Sequence, residues 1–318
     1  MGVGVSRSNL AGAVAAEGGI GIISTAQIGY DEEGFEKDQA GCNRIAIRKH
    51  IHRAKEIAEG KGLVGVNIMV ALKHYKEHVQ EAVRAGADVI ISGAGLPMDL
   101  PKLVGNNKTK IAPIVSSRRA TQLILKMWAH RYNRTADFIV IEGPKAGGHL
   151  GFSRDQLENL ETLDYDHEIR EIIACKAPYE EKYGTKIPVI VAGGIFDRAD
   201  IDHMTELGAD GVQIASRFVA TEECDASDAY KNDIYKREKE RYSNYSESGR
   251  YAGTCHYESL HAARHGRRKD PAQSLPPLPC QMFPRRDPLL HYRQADRRRK
   301  GRRGKRPAVL RSKGLYGR

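Results

Sequence analysis

"AGADVIIS" (residues 85–92) and "LGADGVQIAS" (207–216) are two copies of one signature. Each ends a helix-like stretch with Gly, continues as Ala-Asp, and then runs into apolar residues. Glycine just past a helix stops it, because it accepts the left-handed backbone that other residues resist. "TADFIVIEG" (135–143) repeats the Ala-Asp step before an apolar run. Working outward from these three, four more apolar β-type runs appear: "GIGIIS" (19–24), "LVGVNIMV" (63–70), "KIAPIV" (110–115) and "IPVIVAGG" (187–194). Between them lie amphipathic stretches. Leu123, Ile124, Met127 and Trp128 share one face at helical spacing, as do Ile201, Met204 and Leu207. Continuous apolar strands alternating with helices predict parallel β/α units with both sheet faces covered. A closed (β/α)8 barrel needs eight strands, and seven are counted. A doubly wound sheet needs no fixed number and is the alternative. The chain starts at Met1, just before glycines and a first helix, which fits a TIM-type (β/α)8 barrel lacking its first strand.

The 318 residues suffice for a sizeable core. No run of about 18 apolar residues exists, so no membrane span is expected. The N-terminus lacks a basic-then-apolar signal pattern, and the five cysteines are scattered and odd in number. Both point to reduced thiols in the cytoplasm. The net charge of +11 invites a nucleic-acid reading, but its distribution opposes one. Residues 241–318 carry 20 Lys and Arg against 5 Asp and Glu, while the preceding 240 residues carry 31 against 35. The expected division is therefore a β/α barrel over 1–240 and an Arg/Pro-rich tail over 241–318, without helical or strand periodicity and disordered.

The chemistry is expected where parallel strands end. "EGPKAGGHLGF" (142–152) follows the 136–141 run with four glycines and a histidine. His149 at a barrel mouth can serve as a base near neutral pH, or can be an ordinary loop histidine. Gly193 and Gly194 end one strand, and Gln213, Ile214, Ala215 and Ser216 end the next. Small residues at neighbouring strand ends make a backbone phosphate grip, or plain strand-to-helix turns. Asn67 offers a donor-acceptor side chain suited to a flavin ring edge; the plain alternative for it and Gln213 is a buried polar residue satisfied by backbone. "HYKEH" (74–78) matches H-x-x-E-H, but it lacks a third ligand and has Lys73 and Lys76 beside it. It reads as a solvated helix face, with no metal expected. "HIH" (50–52) reads likewise as helix surface, and Cys42 has no evident base partner.

Together, "GVGVSRSNLAGAVAAEGGIGIIS", "GVNIMV", "EGPKAGGHLGF", "IPVIVAGGI" and "GADGVQIASRF" resemble the nitronate monooxygenase family, also called 2-nitropropane dioxygenases, over essentially residues 1–240. The resemblance implies an FMN-binding TIM-type barrel that oxidises alkyl nitronates or nitroalkanes with oxygen and without a metal. It implies that Asn67, Glu142, Gly147 and Gly148 line the flavin. Gly193, Gly194 and Gln213 to Ser216 would hold its phosphate end, and His149 would remove the proton beside the nitro group. The flavin-dependent enoyl-acyl-carrier-protein reductases are similar and give the alternative activity. Small-molecule partners are implied, with no nucleic acid and no membrane; oligomeric state is left open. "IASRF" departs from the family's usual Gly-Thr pair, and the family's opening Gln-Gly-Gly-Met strand is absent. Read one base out of frame, the codons of 251–261 and 275–284 permit family-like segments, so a frame shift near Arg241 is expected.

Overall fold

The computed structural model describes residues 2–148, 150–236, 242–247 and 251–256. The elements run α1 (Ser8–Ala16), β1 (Ile20–Ser24), α2 (Gln39–Ala58), β2 (Leu63–Met69), α3 (Tyr75–Arg84), β3 (Val89–Gly93), α4 (Leu100–Val104), β4 (Lys110–Val115), α5 (Arg118–Tyr132) and β5 (Ile139–Glu142). They continue as α6 (Arg154–Glu158), α7 (Tyr165–Ala174), α8 (Ala177–Tyr183), β6 (Val189–Ala192), α9 (Arg198–Glu206), β7 (Gly211–Gln213), α10 (Ser216–Val219), α11 (Asp228–Lys236), β8 (Tyr242–Glu247) and β9 (Tyr251–His256). β1 to β7 form one sheet in chain order, and every pair in it is parallel. All seven sit where the apolar runs predict them. The arrangement is that of a TIM-type barrel short of one strand: β1 and β7 are the two margins of the sheet.

The repeated Gly-Ala-Asp signature has a structural reason. Gly86 and Gly208 adopt φ of 77° and 100° and close α3 and α9. Asp88, Asp137 and Asp210 then do one job three times. Each backbone N–H bonds the preceding strand's carbonyl, and each carboxylate accepts an N–H from that same strand: Val64 at 2.9 Å, Ile111 at 2.9 Å and Val189 at 2.8 Å. The aspartate thus satisfies the first free donor of its neighbour, which would otherwise be buried unpaired. Lys55 and Lys110 pair with the first two of these carboxylates.

Side chains alternate between the two faces of the sheet. Ile23, Val66, Ile90, Ile111, Ile139 and Val191 point outward into the main core beneath the helices, with Trp128, Ile124 and Ile51. Val89, Ile91, Ala112, Phe138, Val140 and Ala192 point inward and form a small apolar floor, against which Ile22, Ile114 and Ile190 pack. The helical layer also links the sheet's two margins. Leu10 of α1 packs on Val219 and Cys224, and the Asp225 carboxylate accepts the Arg7 and Leu10 backbone N–H groups at 2.8 and 3.3 Å. Along the free edge of β1, Ser24 N donates to Ser6 O at 2.9 Å and Ser6 Oγ donates to Ile22 O.

Two expectations differ. The runs 187–194 and 210–216 give shorter strands, because Gly193 and Gly194 turn to φ of 95° and 80° and a helix begins at Ser216. Within 241–318, expected to lack periodic structure, β8 and β9 form an antiparallel hairpin from stretches rich in Tyr, Ser and Thr. The rest of that tail lies outside the described residues.

Candidate active site at the strand C-terminal ends

The strand register decides which predicted residues meet. Ser24 stands opposite Asn67 across β1 and β2, Glu142 opposite Ala192 across β5 and β6, and Ala192 opposite Gln213 across β6 and β7. Counting alternate positions from the inward floor, Ser24, Asn67, Glu142 and Gln213 all face inward at the C-terminal end of the sheet. A polar rim therefore tops an apolar floor. Asn67, Glu142 and Gln213 all stand on it. Ile214 follows them off β7, and Ala215 and Ser216 are exposed at the start of α10.

Glu142 is mostly buried, and burial pushes its carboxyl up to about 7. No salt bridge reaches it among the described residues. It is a carboxyl able to hold a proton at neutral pH, which is how functional acids are tuned. Its backbone carbonyl accepts the Tyr165 hydroxyl at 2.8 Å, and Tyr165 meets Phe152 edge to face at 5.6 Å. Leu150 and Leu157 anchor the loop after β5 in a small apolar cluster with Phe152.

The loop's glycines serve close backbone approach. A Cβ on Gly151 would lie 2.7 Å from Ser116 Oγ, and one on Gly193 would lie 2.8 Å from Ala146 Cβ. One on Gly194 would meet the Lys145 side chain at 2.9 Å. The loop after β5 thus folds against the ends of β4 and β6. Gly147 and Gly148 are exposed, Gly148 at φ 97°. His149 lies outside the described residues.

The rim fits a flavin-like ligand on two counts. Asn67 and Ser24 are buried, and the Ser24 hydroxyl has no hydrogen-bond partner among the described residues. The adjoining turn at Gly193 and Gly194 brings backbone without side chains of its own to the end of β6, with φ of 95° and 80°. Ser24 and Tyr165 were missed by reading the sequence, although the strand-end rule that selects Asn67 also selects the last residue of "GIGIIS". The rim also carries Phe196 with the Arg217 guanidinium 5.1 Å over its ring.

Two histidine readings need correction. His50 is buried, with Nδ1 3.0 Å from Ser8 Oγ and Nε2 accepting from Arg7 Nε at 3.0 Å. Arg7 also pairs with Asp31, and together with burial its charge pushes His50 down to about 4. Of "HYKEH", His74 precedes α3 but His78 is buried with both ring nitrogens unpartnered, and burial lowers it to about 4. This face of α3 packs against the rest of the fold, with Val79 and Ala82 in the core beneath the helices. Among the described residues no group of three His, Cys, Asp or Glu is placed to hold a metal, and no helix is long and apolar enough to cross a membrane.

Known proteins share this architecture. FabK from Thermotoga maritima superposes with a TM-score of 0.59 at 24% identity, covering 79% of this chain and 67% of its own. Nitroalkane oxidase from Streptomyces ansochromogenes gives 0.57 at 18%, covering 80% and 74%. Both likenesses establish the fold. By sequence, the chain is 26% identical over 227 residues to (3aS,4S,5R,7aS)-5-hydroxy-7a-methyl-1-oxo-octahydro-1H-indene-4-carboxyl-CoA dehydrogenase of Mycobacterium tuberculosis, covering 71% of this chain. It is 32% identical over 101 residues, 31% of its length, to a Staphylococcus aureus protein named "Probable nitronate monooxygenase". The chain spans 53% of the first relative and 25% of the second. Residues 1–265 match the family described as nitronate monooxygenase, a stretch that includes the whole seven-stranded sheet and its rim, and the chain belongs to that family.

Proposed function

We propose that this chain is an FMN-dependent oxidoreductase of the cytoplasm that oxidises alkyl nitronates or nitroalkanes with oxygen. The observation that carries this reading is the inward polar rim beside the Gly193–Gly194 turn. The flavin, when bound, supplies a ring system that accepts electrons from the substrate and returns them to oxygen. Backbone N–H groups around Gly193, Gly194 and Ser216 hold the phosphate end, with Gln213, Ile214 and Ala215 completing that wall. Asn67 takes the ring's polar edge, and Gly147 and Gly148 leave room for the ring on the β5 side. Glu142, whose carboxyl is raised to about 7 by burial, keeps a proton on a large share of molecules near neutral pH and so repels an anionic nitronate less than an ordinary carboxylate. His149 removes the proton next to the nitro group of a neutral substrate. The catalytic unit is 1–240, and gene sequencing across the codon of Arg241 tests the frame shift.

The absorbance spectrum of the purified protein with added FMN tests the binding step; bands that fail to shift from those of free FMN refute it. His149→Asn is expected to depress turnover of neutral nitroalkanes more than of preformed nitronates. Equal losses remove the base role. The second reading is favoured by another structural relative, the enoyl reductase domain of MlnA from Bacillus amyloliquefaciens, at 15% identity and a TM-score of 0.59. Rapid NAD(P)H-driven reduction of an enoyl thioester, with nitronates inert, selects it instead.

A further inference from the structure

We propose that Ser24 is a positioning residue: its hydroxyl sets the orientation of the Asn67 amide, and so the polarity that the rim presents to the ring edge of a bound flavin. The inference rests on the FMN reading above. Ser24 is 3% exposed and its Oγ has no hydrogen-bond partner among the described residues. A buried hydroxyl without a partner is rare in native proteins and calls for a reason. Asn67 is 7% exposed and stands directly opposite on β2. No hydrogen bond to its side-chain amide is present among the described residues either.

The backbone around the pair is held on both sides. Ser24 N donates to Ser6 O at 2.9 Å. Thr25 N and Thr25 Oγ1 both donate to the Asn67 carbonyl, at 3.2 and 2.9 Å. The two Thr25 bonds hold the end of β1 to β2, and the Ser6 bond holds its other side. Adjacent strands lie about 4.8 Å apart, so the two inward side chains are within one rotamer change of each other. Ile22 and Gly65, the preceding inward positions on the two strands, offer no polar side-chain atom, and the Asn67 amide is the polar side chain directly across from Ser24 in the register.

An asparagine amide has two faces, a carbonyl acceptor and an NH2 donor. A flavin's pyrimidine edge alternates carbonyl, N–H and carbonyl, so an amide pairs with it in either orientation, at different positions. A hydroxyl that accepts from the Asn67 NH2 turns the Asn67 carbonyl to the ligand; one that donates to the carbonyl turns the NH2. Ser24 removes the ambiguity, and its own bond is completed only when the amide is fixed by a ligand.

This predicts opposite signs for stability and binding, which a merely structural serine does not. Ser24→Ala should leave the melting temperature of the FMN-free protein unchanged or raised, since an unpaired buried hydroxyl is removed. It should weaken FMN binding by roughly 5–10-fold, about one hydrogen bond. Riboflavin affinity should fall by the same factor, because the effect is at the ring and not the phosphate. Ser24→Thr, which keeps the hydroxyl, should recover most of the affinity. In Asn67→Ala, adding Ser24→Ala should cost nothing more. FMN affinity equal to that of the unaltered protein in Ser24→Ala, a loss matched by a lower ligand-free melting temperature, or additive losses in the double variant each overturn the proposal. Should the unaltered protein refuse FMN, the functional reading falls and this one with it. If it binds FMN and Ser24→Ala binds equally, only the role of Ser24 falls.

Discussion

The two faces of one sheet are built on different terms. The outward face of β1 to β7 is predominantly apolar and lies under the helices with Trp128, Ile124 and Ile51, and the buried Ser92 hydroxyl on it is bonded to Ile68 O and the Tyr75 hydroxyl. The inward face has a small apolar floor and then, toward the ends of β1, β2, β5 and β7, Ser24, Asn67, Glu142 and Gln213. Both faces come from the same strands at alternate positions. One holds the chain together; the other gives up apolar burial at one end and gains a set of groups able to bind something. The difference marks the candidate site without reference to any relative: there, polar side chains at the strand ends are left open to a ligand, whereas the outward Ser92 hydroxyl is bonded within the fold.

The largest effect that would sharpen this contrast comes from the outward side. Trp128 is fully buried and its Nε1 donates to Pro97 O at 3.0 Å. Trp128→Ala should cost about 3–5 kcal/mol, seen as a lower urea midpoint. A cost under about 1 kcal/mol would mean that the outward core is not the stabilising face.

Next in size is Gly193→Val. Its φ of 95° resists any side chain, at about 1–2 kcal/mol, and a Cβ would press on Ala146. Crowding adds roughly 1–3 kcal/mol. FMN affinity should fall at least tenfold in material that still folds. Unchanged affinity would move the ligand away from this turn.

The smallest expected effect is on the inward side. Glu142 has a folded value of about 7 against 4.5 for the free group, raised by burial. The folded protein therefore holds the proton where the unfolded chain has lost it. Stability from this group is fully present below about pH 4.5 and declines as pH rises to about 7. Glu142→Gln should remove that slope, so that the unfolding free energy from urea titrations changes by about 1–3 kcal/mol less between pH 5 and pH 7.5 than in the unaltered protein. A slope that survives in the variant assigns it to another group.

Much of this was readable from residues alone, for physical reasons. Seven apolar runs became seven strands because a sheet covered on both sides demands continuous apolar sequence. That same continuity hides which residues face inward, since both faces look alike until register is known. Ile195 and Ile214 extend apolar runs past true strand ends, and only the positive φ of Gly193 and Gly194 and the start of α10 reveal the stop. The short helices α6, α8 and α10 are too brief for a 3.6-residue period to register. His50 looked like surface because its partner Arg7 is 43 residues away in sequence. Asn67, Glu142 and Gln213 were legible because strand-end position is a local property; Ser24 follows the same rule but carries a commonplace side chain.

Neighbouring strands in this sheet are also neighbours in the chain, so each pairing needs only the loop and helix between. The tie from α1 to the segment after β7 is of another kind: Arg7 N to Asp225 spans 218 residues, and Cys224 Sγ to Val5 O spans 219. Closing so long a loop is entropically slow, and such contacts reward the chain only after the intervening units stand. Asp225 is thus placed to act on the lifetime of the folded state rather than on how fast it is reached, governing escape and not arrival.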